Sequence, residues 1–160
     1  MKTLNIRRAV FALALCATAA AGLATATPAQ AAPSPFVGTW INSDPNTRGI
    51  VRLRITQGVH GLGVQVFGAC VPTPCDWGLE GLTTYGDNVS DPDHKFGTAA
   101  YSFDFKQTAM TFQLLDANTL LVDDYSMFTD GSGRENYHTR EIFKKLVIRP
   151  LPFPLIPIMP

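Results

Sequence analysis

From about residue 36 onward, apolar and polar positions alternate with period two. Val51, Leu53 and Ile55 alternate with Arg52, Arg54 and Thr56, the pattern of a strand with one face buried and its cations in water. Leu62, Val64 and Val66 repeat it after the turn Gly58-Val59-His60-Gly61. Further on, Tyr101, Phe103 and Phe105 alternate with Ser102, Asp104 and Lys106, and Met110, Phe112 and Leu114 alternate with Thr111 and Gln113. Gln107-Thr108 lies between these two runs and reads as the tight connection of a hairpin. Asp116-Ala117-Asn118 separates the second run from residues 120–128, where Leu120-Leu121-Val122-Asp123-Asp124-Tyr125 leaves the inward face open. Thr129-Asp130-Gly131-Ser132-Gly133 then turns the chain into a last strand over 134–146. With Gly38–Asn42 as the first strand and Trp77–Tyr85 as the fourth, the count is about eight.

Short connections and the lack of any helical period predict an all-β fold: a single antiparallel up-and-down barrel of about eight strands. Closure would hide one apolar face per strand and remove the sheet edges. A β-sandwich has the same periodicity and is the alternative.

The two ends of the chain do not follow the strand pattern. Lys2, Arg7 and Arg8 precede an apolar run of small residues from Ala9 to Ala26, and Ala29-Gln30-Ala31 follows. These are the positive, apolar and A-x-A regions of a signal peptide over residues 1–31. Export, with a secreted domain over residues 32–146, is therefore expected, and no membrane span. At the other end, residues 147–160 carry Pro150, Pro152, Pro154, Pro157 and Pro160 among apolar side chains. Such a tail favours polyproline II geometry. It reads as a loosely packed extension, or as an apolar strap for a barrel mouth or a partner.

The leader changes the charge balance. The chain has 13 Lys+Arg and 13 Asp+Glu, and three of the bases lie in the leader. The 129 residues from Ala32 keep 10 bases against 13 acids, a net charge of −3. With no basic stripe, nucleic acid is not an expected partner.

Outside the leader there are two cysteines, Cys70 and Cys75. In an exported chain an even pair reads as a structural disulfide. Pro72 and Pro74 between them help the chain double back, so a stapled hairpin end between the third and fourth strands is expected. Asp87, Asp91 and Asp93 form the one acidic cluster, the oxygen-rich type of segment that calcium would use. It lacks the EF-hand spacing, and no metal or other cofactor is expected. His138, Asp123 or Asp124, and Ser126 or Ser132 supply the residue types of a hydrolase. There is no G-x-S-x-G elbow, and no enzymatic activity is expected.

Gly38-Thr39-Trp40 resembles the Gly-x-Trp opening of the calycins, the superfamily of lipocalins, fatty-acid-binding proteins and avidins. The resemblance implies a barrel in which Trp40 plugs one end beneath a basic residue of the last strand, for which Arg140 is the candidate. Gly38-Thr39-Trp40-Ile41-Asn42 is similar to avidins in particular, placing Asn42 at a pocket-lining position. Avidins grip biotin with several tryptophans, and after Trp40 this chain has only Trp77, so biotin is not carried over. The chain also resembles a recurrent domain of exported bacterial proteins that has no assigned activity. That likeness rests on Gly38-Thr39-Trp40-Ile41-Asn42 with residues 44–48, on Cys70 to Gly78 with its Cys-x4-Cys-Asp-Trp-Gly motif, and on Phe128 to Arg134. Phe67 stands where that pattern has Trp before the first Cys.

The expected function is a secreted barrel binding a small apolar or amphipathic ligand, with Asn42, Tyr85, Tyr101, Tyr125 and Tyr137 as candidate contacts. The alternative is an extracellular interaction domain that binds a macromolecule through its loops or tail and has no ligand cavity.

Overall fold

The computed structural model describes residues 34–147. The expected leader and nearly all of the expected tail lie outside the described residues. Eight strands follow one another: β1 (Gly38–Asn42), β2 (Ile50–Gly58), β3 (Gly61–Gly68), β4 (Cys75–Tyr85), β5 (Phe96–Ser102), β6 (Lys106–Asp116), β7 (Thr119–Phe128) and β8 (Tyr137–Lys145). Each pairs antiparallel with the next, and β8 returns to β1 with Trp40 opposite Lys145 and Asn42 opposite Phe143. The sheet is thus a closed up-and-down barrel. A sandwich, which keeps two separate sheets, is excluded by the β8–β1 ladder.

Alternation fills the interior as expected. Trp40, Leu53, Ile55, Val64, Phe112 and Phe143 are fully or almost fully buried, each large side chain contributing roughly 1.5–3 kcal/mol on removal from water. One end, here the lower, carries Ser34–Val37, the β2–β3 and β6–β7 turns, and the β4–β5 loop. Phe36 and Trp40 seal it from within, both without solvent exposure, and the indole Nε1 donates to the Phe36 carbonyl at 2.8 Å. The upper end carries the other four connections: β1–β2, β3–β4, β5–β6 and β7–β8.

Three local readings change. In β2 the buried residue is Ile50 and Val51 is only half-buried, because a register shift between Ile50 and Arg52 adds one residue to the strand. In β7, Leu120, Val122, Asp124 and Ser126 are buried on the inner face, which settles the register left open by the sequence. The third change matters most. Gln107-Thr108 is not a turn but lies inside β6, and the connection is Phe103-Asp104-Phe105, closed by the Phe103 amide donating to the Lys106 carbonyl at 2.8 Å. That corner shifts the alternation by one residue. Phe105 is left partly exposed, and Lys106 and Thr108 become buried.

Candidate functional site

The upper mouth is shaped by the β3–β4 end. Cys70 and Cys75 are joined, their Cα atoms 5.5 Å apart, which staples the loop as expected. Two residues after Cys75, Trp77 lays its ring over Gly68: a Cβ on Gly68 would lie 2.8 Å from the indole Nε1. Only glycine permits that approach. The indole meets Tyr101 and Phe103 edge-on, with centroids 5.9 and 5.8 Å away.

Lys106 reaches into this aromatic cluster. Its residue is 7% exposed, and Nζ lies 4.2 Å from the Trp77 centroid and 5.5 Å from that of Phe103. Among the described residues the ammonium's one hydrogen-bond acceptor is Ser126 Oγ, at 3.5 Å. Ser126 in turn donates to Asp124 Oδ1 at 2.9 Å and lies 3.1 Å from Thr108 Oγ1. A serine has one proton to give. With that proton on Asp124, Ser126 accepts from Lys106 and from Thr108. Asp124 is 3% exposed. Burial raises its carboxyl above the ordinary range, while the Ser126 bond and the Lys106 charge act in the opposite direction. A cation and a carboxyl thus share one hydroxyl on the inner wall.

The rim carries a second cation on aromatic faces. The Arg134 guanidinium lies 3.9 Å from the Phe128 centroid and 5.4 Å from that of Phe105. It pairs with Asp130, whose carboxyl is lowered to about 2, first by the Ser132 hydroxyl and amide and then by Arg134. Gly131 and Gly133, at φ 67° and 71°, let that loop fold so tightly. On the same side of the rim the β1–β2 loop is tied to β8: Glu141 accepts from Thr47 Oγ1 at 2.6 Å and from the Ile50 amide at 3.3 Å. The mouth encloses about 470 Å³ among Trp77, Phe103, Phe105, Lys106, Asp124 and Tyr137, within the size range of small-molecule sites.

The residues expected from the sequence scatter around this mouth. Tyr137 lines it. Tyr101 lies beneath it, buried, with its hydroxyl donating to the Val64 carbonyl at 2.7 Å and its phenol raised by burial. Asn42 is taken up by the β1–β2 loop, donating to the Ile50 carbonyl and accepting from the Asp44 amide. Tyr85 and Tyr125 are on the outer wall: one bonds Thr98 and the other stacks on His138 at 4.6 Å. Neither can touch a ligand inside, because strand parity turns each away from the interior.

Arg140 does not cap Trp40. It alternates outward with His138 and binds Asp123 through Nε at 2.8 Å, holding that carboxyl below its usual range. The cation over Trp40 is Lys145, five residues later on the inward parity, with Nζ 4.8 Å from the ring and donating to the Pro35 carbonyl. The expected cap from the last strand exists, but on a different residue. Asp87, Asp91 and Asp93 do not converge on a cation position. Asp91 accepts the amides of Asp87 and Asp93, which shapes the loop and lowers its carboxyl. Among the described residues no three His, Cys, Asp or Glu side chains group as metal ligands. The hydrolase residue types also separate, since Asp124 and Ser126 face inward while Asp123 and His138 meet outside, 2.6 Å apart.

A larger concavity, about 850 Å³, opens at the lower end among Leu62, Leu82, His94, Lys95, Leu114 and Leu115. Its charged groups are solvent-exposed, and Phe36 and Trp40 close the interior behind it. The buried inward-facing charges, Lys106 and Asp124, are at the upper mouth, which is therefore the stronger candidate despite its smaller volume.

Lys106 is the functional candidate that the sequence reading misses, and Asp124 enters there only as a hydrolase residue type. The signal for Lys106 was present: counting back in twos from Met110 passes through Thr108 to Lys106. Comparison with protein-family models gives no match, and comparison with curated proteins gives none either.

Proposed function

We propose that this protein is a secreted carrier that binds a small molecule in the upper mouth of its barrel. The observation that carries the reading is the Lys106–Ser126–Asp124 group, buried under Trp77 and Phe103 on the inner wall of an open end. Burying two ionisable groups costs free energy, and a scaffold can fill such positions with apolar residues, as it does around Trp40. Retaining them at a mouth fits orientation of a ligand's polar head, with the aromatic rings taking its apolar body. The disulfide and the signal-peptide pattern support export. The calycin-like opening supports a carrier by analogy of fold.

Anilinonaphthalene dyes, excited by energy transfer from tryptophan, test the reading. One-to-one saturable binding that Trp77→Ala removes is expected. Lack of saturable binding, or binding indifferent to Trp77→Ala, refutes it. A second reading, an interaction domain, is favoured by a shallow hollow of about 580 Å³ on the outer wall, where Ala100 and Ala109 lie beside Tyr125 and Met127. Tyr125 and Met127 are both about half exposed.

A further inference from the structure

The carrier reading leaves the chemistry of the ligand open, and the inference here rests on that reading. We infer that the mouth selects a short, flat aromatic anion, whose anionic group is taken by the Lys106 ammonium and whose ring lies against Trp77 and the Phe103–Phe105 corner.

The anion follows from the hydrogen bonding of Lys106. An ammonium has three donors. That of Lys106 is almost fully buried and among the described residues makes one hydrogen bond, long at 3.5 Å, to a hydroxyl that already gives its own proton to Asp124. The π faces of Trp77 and Phe103 interact with the remaining charge. A carboxylate or sulfonate oxygen offers a charge-assisted hydrogen bond, a stronger partner than an aromatic face. Of the other charged groups on the mouth, Arg134 is paired with Asp130, and Arg48 and Asp76 are of opposite sign. Asp76 accepts from Gln65 Nε2 and the Gly78 amide, which directs its two carboxylate oxygens to those donors.

The flat, short shape follows from what lies beneath. Ile50, Val66, Tyr101 and Met110 are buried below the mouth. They belong to one packed core, so a long acyl chain has no channel to descend. The rings around Lys106 instead leave room for a planar body beside them, with stacking and edge contacts worth more to it than to a flexible chain.

Two dyes with the same skeleton separate the ligand class from the carrier reading. N-phenyl-1-naphthylamine is neutral, and 8-anilinonaphthalene-1-sulfonate is the same molecule with one sulfonate. Both are titrated against the purified protein and its Lys106→Met variant. The sulfonate is expected to bind about tenfold or more tightly than the neutral dye. Lys106→Met should abolish that preference while still binding the neutral dye, which also shows that the variant is folded. Equal affinity for the two dyes, or a preference that survives Lys106→Met, overturns the anion assignment and leaves the carrier reading standing. Saturable binding of neither dye overturns both.

Discussion

Gly68→Ala is the most direct perturbation of the mouth, because it alters the site without touching a ligand-facing side chain. The added Cβ would sit 2.8 Å from Trp77 Nε1 and 3.4 Å from Cε2, far inside contact distance, and the indole must move. Trp77 then forfeits two edge-on aromatic contacts and the Lys106 cation–π contact. Each aromatic pair is worth about 0.5–1.5 kcal/mol and the cation–π contact about 0.5–2. Replacing glycine by alanine within a strand returns about 0.5–1 kcal/mol of backbone entropy. A net loss of about 2 kcal/mol follows, or a Tm lower by roughly 8 °C for a domain of this size. Gly81→Ala is the matched control. Gly81 is also inside a strand, and nothing lies within 4 Å of its Cβ position, so that variant should be neutral or slightly stabilised. Guanidinium unfolding gives the free energies, and tryptophan emission reports Trp77 directly because Trp40 stays buried. Equal stabilities for the two variants, with unchanged emission, would refute the argument that Gly68 is there to seat the indole.

Three further outcomes follow from the geometry. Replacing Cys70 and Cys75 by serine releases a six-residue loop and should cost about 2 kcal/mol in urea unfolding; a change under 0.5 kcal/mol would mean that Pro72 and Pro74 fix the turn without the bond. Lys145→Met should lose about 1 kcal/mol or more and shift Trp40 emission, through loss of the cation–π contact and the bond to Pro35, whereas Arg140→Met should leave that emission unchanged. The adjacent acids should respond to pH in opposite senses. Asp123 has a lowered folded pKa, so its stabilisation is present above pH 3.8 and is lost as pH falls through the folded value; Asp123→Asn should weaken the fold at pH 7 and little at pH 2. Asp124 has a raised folded pKa, so its ionised form costs stability above that value and the cost vanishes toward pH 3.8. Asp124→Asn should therefore gain at pH 8 and gain less at pH 4.5, as read by thermal melting across that range.

How far the molecule was legible in its sequence depended on whether each strand's inner face was apolar. β2, β3 and the Met110–Leu114 part of β6 announced themselves, because Leu53, Val64 and Phe112 alternate with polar residues and no other element uses that period. The same rule concealed the site. Lys106, Thr108, Asp124 and Ser126 are polar residues on the inner face; a reading that equates polar with outward assigns Lys106 to solvent and Thr108 to a turn, and it leaves the face of Asp124 and Ser126 open. The Phe103-Asp104-Phe105 corner compounded the error, since its two rings continue the alternation of β5 while the backbone changes direction. Arg140 and Lys145 differ by an odd number of residues and so face opposite ways; without the register of β8, either could have capped Trp40. The tyrosines were chosen by residue type, and parity put only Tyr101 and Tyr137 near the mouth. The disulfide was legible because Cys70 and Cys75 are the one cysteine pair outside the expected leader, leaving each a single possible partner.

An even number of strands in an up-and-down barrel sends the chain in and out through the same end. Ser34 and Leu146 both lie at the end sealed by Phe36 and Trp40, and Leu146 donates to the Thr39 carbonyl there. A tether, tag or surface linkage attached at Ser34 or Leu146 therefore leaves the aromatic mouth facing away from the attachment. The four loops around that mouth lie at the end opposite Ser34 and Leu146, so they can be lengthened, shortened or randomised while the barrel is held from behind. That arrangement makes the domain a one-ended scaffold, with a handle at its plugged base and a recognition surface at its opposite pole.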